Sequence, residues 1–376
     1  MIYFIGIIAF SYFLLITSFI IGFDKIKNVS NKDLSPKNKF SILVPFRNEA
    51  DNLSNLLQSI LNIKYPKNKF EIILINDDSS DDSELIVFNF IKQHLHINST
   101  LINNERNSNS PKKDAVNTAI KIAKFEWIVT TDADCKVPTL WLQLFNQTIE
   151  KNKCLFIAAP VKFKKGKGLL YHFQNLNFLS LIGSTLGSFG INKPIMCNGA
   201  NLCYNKALFI KLNGFKGNEM VASGDDIFLM EKISQTYPKK ISYLKSLDAT
   251  VETLSEQKER LFYNQQLRWA AKTTAYKNQF SRIVGLLVFF NNLSLILLGV
   301  SAVFYPIYGS FFLIFFLLKL VLDSILILKT SFFLKSTESL IYYPLISVFH
   351  PFFIILIALM SLFKTTYKWK ERRFEK

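Results

Sequence analysis

Long apolar runs towards both ends of the chain are the strongest constraint on its fold. Residues 2–22 hold no charged side chain, and residues 283–304 and 308–328 are two further apolar runs of similar length. A helix needs about 20 such residues to cross a bilayer. The sequence therefore predicts four parts: an N-terminal transmembrane helix (1–23), a soluble domain (38–275), a C-terminal membrane region (283–363) and a basic tail (364–376).

The charges between and beside these runs indicate an orientation. A lysine-rich segment, residues 24–39, follows the first run and predicts a cytoplasmic domain by the positive-inside rule. Basic residues that flank membrane spans also account for the net charge of +17, so nucleic acid is not needed as a partner. The four cysteines form no CxxC pair, which is typical of idle thiols in a reducing compartment.

The last apolar run, residues 338–363, raises a question of topology. Three C-terminal crossings would place the basic tail outside, against the charge rule. Pro344 and Pro351 interrupt this run, so we expect it to lie in the interface or to re-enter, with the tail against anionic lipid headgroups. Lys319 and Asp323 in the preceding run are spaced to pair on one helix.

The soluble domain begins with a βαβ pattern. The runs FSILVPF (40–46) and FEIILIND (70–77) are continuously apolar and end in polar residues, as buried parallel strands do. Between them five apolar residues have helical spacing, with Asn48 or Asp51 available as the cap. Helices near 82–95 and 114–124 and a strand at FEWIVTTD follow, so we predict an α/β nucleotide-binding domain.

Polar clusters follow three of these predicted strands. Because ligands of such sheets bind outside the carboxyl ends of the strands, the clusters are expected to meet at one edge. They are residues 45–49 (PFRNE), residues 76–81 (NDDSSD) and residues 132–134 (DAD).

Asp132 and Asp134 form a DxD motif, whose side chains share a side of an extended segment. So many converging carboxylates repel one another unless a cation offsets them. A divalent metal that holds a diphosphate meets this need, and its position at a strand end favours this interpretation over a solvated turn.

The chain resembles glycosyltransferase family 2, the inverting enzymes with a GT-A fold, over nearly all of residues 38–275. The opening VPFRNEADNL and the segment INDDSSDDS resemble the first motifs of the family. PKKDAVNTAI resembles its GKxxALNxG, with Pro111 in place of a glycine, and TDAD resembles its metal motif. The resemblance implies that a nucleotide-sugar donor binds at Pro45, Arg47, Glu49, Asp77, Asp78, Lys112 and Asp132, with Mg²⁺ or Mn²⁺ at Asp132 and Asp134.

Two later motifs extend the resemblance to the acceptor side. CNGANLCYN resembles the segment that lines the sugar pocket through Asn198 and Gly199. SGDDIFLMEK resembles the family's ED motif, which implies that Asp226 is the catalytic base and that Asp225 replaces the usual glutamate. These residues also suit a helix start, and the two roles are compatible.

Gln265, Arg268 and Trp269 match QxxRW, a motif frequent in membrane-bound polysaccharide and glycolipid synthases. The three side chains fall on one helical face. The resemblance implies contacts with the acceptor or the diphosphate, whereas a purely structural role would anchor an amphipathic helix at the membrane surface.

These features together predict a GT-A domain flanked by transmembrane helices in the inner membrane, with its active site in the cytoplasm. The implied reaction moves a sugar from a UDP- or GDP-sugar to a lipid-linked sugar or a glycan. Inverting transfer of this kind needs one carboxylate as the base. The alternatives are a processive polysaccharide synthase and a membrane protein that binds sugar nucleotides without catalysis.

Overall fold

The computed structural model describes residues 2–30, 34–219, 221, 223–363, 366–370 and 372–375. Its helices are α1 (Ile2–Lys25), α2 (Ala50–Leu61), α3 (Ser83–Gln93), α4 (Pro111–Ile122), α5 (Trp141–Asn152), α6 (Leu169–Gly190), α7 (Lys206–Lys211), α8 (Asp225–Thr236), α9 (Glu259–Ala271), α10 (Gln279–Phe304), α11 (Pro306–Leu334) and α12 (Tyr343–Phe363). Its strands are β1 (Phe40–Phe46), β2 (Phe70–Asn76), β3 (Ser99–Asn103), β4 (Trp127–Thr130), β5 (Phe156–Ala158), β6 (Val161–Phe163), β7 (Leu202–Asn205), β8 (Ile241–Tyr243), β9 (Val251–Thr253), β10 (Thr366–Trp369) and β11 (Arg372–Glu375).

The chain divides into two compact units, each built from separate segments. The helical unit comprises residues 1–26, 165–195 and 255–367, and the α/β unit comprises residues 27–164, 196–254 and 368–376. The sequence pattern predicts one domain over residues 38–275. In the structure, residues 165–195 and 255–275 of that range belong to the helical unit.

The helical unit holds helices long and apolar enough to cross a membrane. Four are found among the described residues: Ile2–Lys25, Gln279–Phe304, Pro306–Leu334 and Leu340–Phe363. The predicted pair of Lys319 and Asp323 is confirmed, and Tyr12 donates a 2.8 Å hydrogen bond to the same aspartate. Helix α12 continues through Pro351, and Pro344 is its second residue.

Glycines allow α1 and α6 to approach closely within this unit. A Cβ on Gly22 would lie 2.1 Å from the carbonyl oxygen of Gly187, and one on Gly190 would lie 1.8 Å from that of Gly22. These contacts are far shorter than a side-chain atom tolerates. Small residues therefore set this helix crossing, as they do between membrane helices.

A seven-stranded mixed sheet forms the centre of the α/β unit, in the order β3-β2-β1-β4-β7-β5-β8. Strands β3, β2, β1 and β4 are parallel, whereas β7 is antiparallel to both β4 and β5. Strands β6 and β9 form a separate parallel pair, and β10 pairs with β11. This arrangement confirms the predicted α/β class.

The predicted βαβ unit is confirmed in β1, α2 and β2. The interiors of both strands are buried, and Leu53, Leu56 and Ile60 of α2 are fully buried. The prediction that Asn48 or Asp51 caps this helix was wrong. Glu49 is the N-cap residue, and its side chain makes no capping hydrogen bond. Helix α4 begins earlier than predicted because Pro111 occupies its first position, where a fixed φ and a missing N–H do no harm.

Candidate active site

Polar residues lie beyond the carboxyl ends of β2, β1 and β4, which are neighbours in the sheet. Strand β1 ends at Phe46, β2 at Asn76 and β4 at Thr130. Parallel pairing places these three ends at one edge, so the clusters that follow them converge there. Pro45, next to last in β1, is aligned with Ile75 of β2.

Asp77 is held by several donors at this edge. It is buried, and its Oδ1 accepts hydrogen bonds from Asn104 Nδ2 at 2.7 Å and from Arg106 Nε at 3.1 Å. Its Oδ2 accepts from Arg372 Nη1 at 2.6 Å. Donors on both oxygens fix the orientation of this carboxylate.

Asp78 is open to solvent, with 83% of its side chain exposed. Its φ of 60° places it in the left-handed region, which is uncommon outside glycine and frequent at functional sites. Arg47 lies 3.2 Å from its Oδ2 and holds the pKa of this carboxyl below its usual value, with help from Arg372. Arg47 also donates to the carbonyl oxygen of Asp77 at 2.8 Å.

Lys112 connects the DxD motif to the aspartate pair of α8. Its Nζ lies 2.6 Å from Asp132 Oδ1 and 3.6 Å from Asp225 Oδ2. Burial acts to lower the pKa of Lys112, but Asp132, Asp225 and Asp226 outweigh it and raise that pKa well above its usual value. One ammonium group therefore neutralises charge from two motifs that are about 90 residues apart.

A negative charge on Asp134 is unfavourable because the side chain is buried and lies near other carboxylates. Burial, then the nearby charges of Asp132 and Glu49, raise the pKa of Asp134 to about 6. Thr253 donates to its Oδ2 at 3.3 Å. An additional positive charge near Asp134 would relieve this repulsion.

A backbone turn places Gly199 between the sheet and α8. Its carbonyl oxygen accepts a 2.7 Å hydrogen bond from Thr130 Oγ1, and its N–H donates a 3.0 Å bond to Asp226 Oδ2. The Asn198 side chain caps the same turn through the N–H of Ala200. The end of β4 is thus connected to the first turn of α8, which starts at Asp225 and is capped by Gly224.

Asp132 and Asp134 suit a divalent metal. Carboxylate oxygens are ligands that Mg²⁺ and Mn²⁺ prefer, and burial together with the charges of Asp132 and Glu49 raises the pKa of Asp134. No cluster of three or more His, Cys, Asp or Glu side chains suited to a metal occurs in the described part of the chain. A metal that takes one or two carboxylates and completes its shell with substrate phosphate oxygens fits this donor set.

The QxxRW residues lie on α9 in the helical unit. Gln265 donates to Glu256 at 3.3 Å, and its buried side-chain oxygen has no hydrogen-bond partner among the residues that the structure describes. Trp269 packs near Phe178, with 6.3 Å between ring centroids. Arg268 lies on the same helix, so the predicted helical spacing is confirmed.

Five residues of the site were not predicted, among them Thr253, which donates to Asp134. Asn104 and Arg106 follow β3, whose C-terminal end lies beside that of β2, and this strand was not identified from the sequence. Lys370 and Arg372 belong to the basic tail that was expected to contact lipid headgroups. In the structure they contact Glu49, Asp77 and Asp78.

Part of the chain is similar in sequence to known glycosyltransferases and polysaccharide synthases. Poly-beta-1,6-N-acetyl-D-glucosamine synthase of Staphylococcus epidermidis is 29% identical over 144 residues, which cover 38% of this chain and 33% of that protein. Poly(ribitol-phosphate) beta-glucosyltransferase of Bacillus spizizenii is 34% identical over 131 residues, covering 35% of this chain and 20% of that protein. The aligned part thus spans a third or less of the length of these two relatives.

A solved structure shows the fold, and a family model matches residues 41–211. The mannosyltransferase PcManGT from Pyrobaculum calidifontis, in complex with GDP-Man and Mn²⁺, superposes with a TM-score of 0.61 over 96% of both chains at 16% identity. This likeness confirms the predicted GT-A fold. Residues 41–211 match the model of glycosyl transferase family 2, so the chain carries a glycosyltransferase domain of that family.

Proposed function

We propose that this protein is a membrane-integrated glycosyltransferase that moves a sugar from a UDP- or GDP-sugar to a lipid-linked sugar or a glycan, with inversion at the anomeric carbon. The observation that carries this proposal is the position of Lys112 between Asp132 and Asp225. It connects the carboxylates suited to a metal and diphosphate with the pair that contains the proposed base, Asp226.

Asp226 is the general base in this proposal. Its carboxylate accepts the proton of the acceptor hydroxyl while that oxygen attacks the anomeric carbon, and the bond to the diphosphate breaks with its electron pair on the leaving group. Backbone N–H groups hold both oxygens of this carboxylate: Gly199 donates to Oδ2 at 3.0 Å and Ile227 donates to Oδ1 at 2.7 Å. Asn198 and Gly199 form the wall of the sugar pocket.

Positive charge favours departure of the diphosphate. Lys112 is the protein's own cation beside Asp132, and a Mg²⁺ or Mn²⁺ ion bound by Asp132 and Asp134 would neutralise further charge on the leaving group. Asp77 and Asp78, with Arg47 and Glu49, hold the nucleoside part of the donor. Gln265, Arg268 and Trp269 contact the acceptor or the diphosphate, since an arginine binds phosphate oxygens in pairs and a tryptophan stacks on a sugar.

The membrane topology in this proposal follows from the chain path. The α/β unit ends at Leu254 and resumes at Lys368. Because both segments belong to one unit, the chain between them crosses the bilayer an even number of times. We infer that α10 and α11 cross, that α12, which contains Pro351, lies in the interface or re-enters, and that the α/β unit is cytoplasmic at the inner membrane.

The test is a donor panel on the full-length protein in detergent or nanodiscs, assayed for Mn²⁺-dependent release of UDP or GDP. One nucleotide sugar should support release, and Asp226→Asn should abolish turnover with donor affinity changed less than about threefold. Asp248→Asn, at an exposed aspartate, is the matched control. Full activity of Asp226→Asn would exclude this residue as the base.

Two alternatives give different results in the same assay. A processive synthase, which is favoured by the likeness to a polysaccharide synthase, would add many sugars to one defined acceptor, whereas single transfer gives one. A non-catalytic sugar-nucleotide sensor would bind UDP or GDP but release none from any donor.

A further inference from the structure

Strands β10 and β11 form a C-terminal hairpin. Two of its cationic side chains lie at the acidic edge of the sheet. Lys370 lies in the turn region and forms an ion pair with Glu49, whose side chain is only 10% exposed. Arg372 Nη1 lies 2.6 Å from Asp77 Oδ2, and its Nη2 lies 2.8 Å from Asp78 Oδ2. These contacts join residues about 300 positions apart in the sequence.

Arg372 occupies the carboxylates that the donor nucleoside would use. Its guanidinium bridges Asp77 and Asp78 with one nitrogen on each, and its side chain is only 19% exposed. Asp77 Oδ1 already accepts from Asn104 and Arg106, so Oδ2 is the oxygen with room for a ligand. A base or ribose that binds there has to displace the arginine or share that oxygen with it.

Lys370 brings a second positive charge near the metal motif through its ion pair with Glu49. Its ammonium contacts Glu49, and both residues are close enough to Asp134 to change the energy of that carboxylate. A divalent cation at Asp132 and Asp134 and an ammonium at Glu49 repel each other across this cluster. A divalent cation at the DxD motif therefore weakens the ion pair of Lys370 with Glu49, and this ion pair weakens binding of the cation.

We propose that Lys370 and Arg372 are internal competitors of the divalent metal and the nucleoside diphosphate, so that the C-terminal hairpin must leave the pocket before the donor binds. This inference depends on the proposed donor site. The hairpin sets the affinity for metal and donor, whereas the chemistry stays with Asp226. When the concentrations of metal and nucleotide are low, the hairpin therefore keeps the donor site closed.

The experiment compares the full-length protein with the Lys370→Ala/Arg372→Ala double variant. Mn²⁺ alone, and then UDP or GDP with Mn²⁺, are titrated by calorimetry. The double variant should bind Mn²⁺ and the nucleotide at least about fivefold more tightly, since two ion pairs no longer oppose binding. Lys151→Ala/Lys239→Ala removes the same charge from two exposed positions and should leave both affinities unchanged.

Hydrogen exchange of the amides of residues 366–375 provides a second measurement. Nucleotide with Mn²⁺ should speed exchange in the hairpin of the wild-type protein. Slower exchange, or an affinity for Mn²⁺ that is equal or lower in the double variant, overturns the competition and makes the two residues positioning residues. If Mn²⁺ affinity rises in the variant while no donor supports transfer, the competition holds and the proposed function fails.

Discussion

The backbone N–H of Gly199 donates a 3.0 Å hydrogen bond to Oδ2 of Asp226. The same residue accepts a hydrogen bond from Thr130 at the end of β4. One peptide segment thus fixes the distance between the proposed base and the strand that leads to the DxD motif. The base is oriented by backbone, which does not change rotamer, so its position is set before any ligand binds.

We expect Gly199→Ala to lower kcat about 10- to 100-fold, because small displacements of catalytic groups have effects of this size. A Cβ at this position would lie 3.3 Å from both Asp225 Oδ2 and Lys112 Nζ, so these side chains must shift. Nucleotide affinity, measured by calorimetry, should change far less than kcat.

Gly285→Ala is the control for this substitution, because a Cβ at Gly285 would meet no atom of the described residues within 4 Å beyond the backbone of its own helix. It should retain wild-type kcat. If Gly199→Ala also retained wild-type kcat, the close approach of Gly199 to the aspartate pair would have no part in catalysis.

The convergence of the strand ends could be predicted from the sequence, whereas the contacts of the hairpin could not. Buried parallel strands give continuous apolar runs, so Asp77 and Asp132 were placed correctly at strand ends. Lys370 pairs with Glu49 across 321 positions, and any of several basic residues near it satisfies a charge rule equally well. Which of these basic residues reaches Glu49 depends on the tertiary structure. The same holds for α6, whose segment joins the helical unit through its packing on α1.

We expect Lys112→Met to destabilise the α/β unit by about 1–3 kcal/mol, because Asp132 and Asp225 lose the ammonium between them. Transfer activity should fall at least about tenfold. Mn²⁺ should raise the Tm of the variant more than that of the wild type, since the ion supplies part of the missing positive charge. Differential scanning fluorimetry with EDTA or Mn²⁺ measures both effects.

Lys121→Met is the matched control for Lys112→Met. It makes the same substitution on the same helix, at an exposed lysine that pairs with Glu105 on the surface. Surface pairs of this kind contribute roughly 0–1 kcal/mol, so its Tm and activity should stay near wild type. Equal effects of the two substitutions would contradict the role of Lys112 at the site.

The raised pKa of Asp134 predicts how metal and pH together affect stability. Its value of about 6 exceeds the usual 3.8, so this group favours the folded state when protonated. That contribution is fully present below about pH 4 and is lost as the pH rises through about 6. Without metal, Asp134→Asn should therefore raise the Tm at pH 7.5 and leave it unchanged near pH 4.

In the wild type, Mn²⁺ should raise the Tm more at pH 7.5 than at pH 5, where protons compete for the carboxylate, and it should stabilise Asp134→Asn much less. Asp248→Asn, at an exposed position, should respond to Mn²⁺ as the wild type does. An Mn²⁺ stabilisation that is the same at both pH values, or equal in Asp134→Asn and wild type, would show that the metal binds elsewhere.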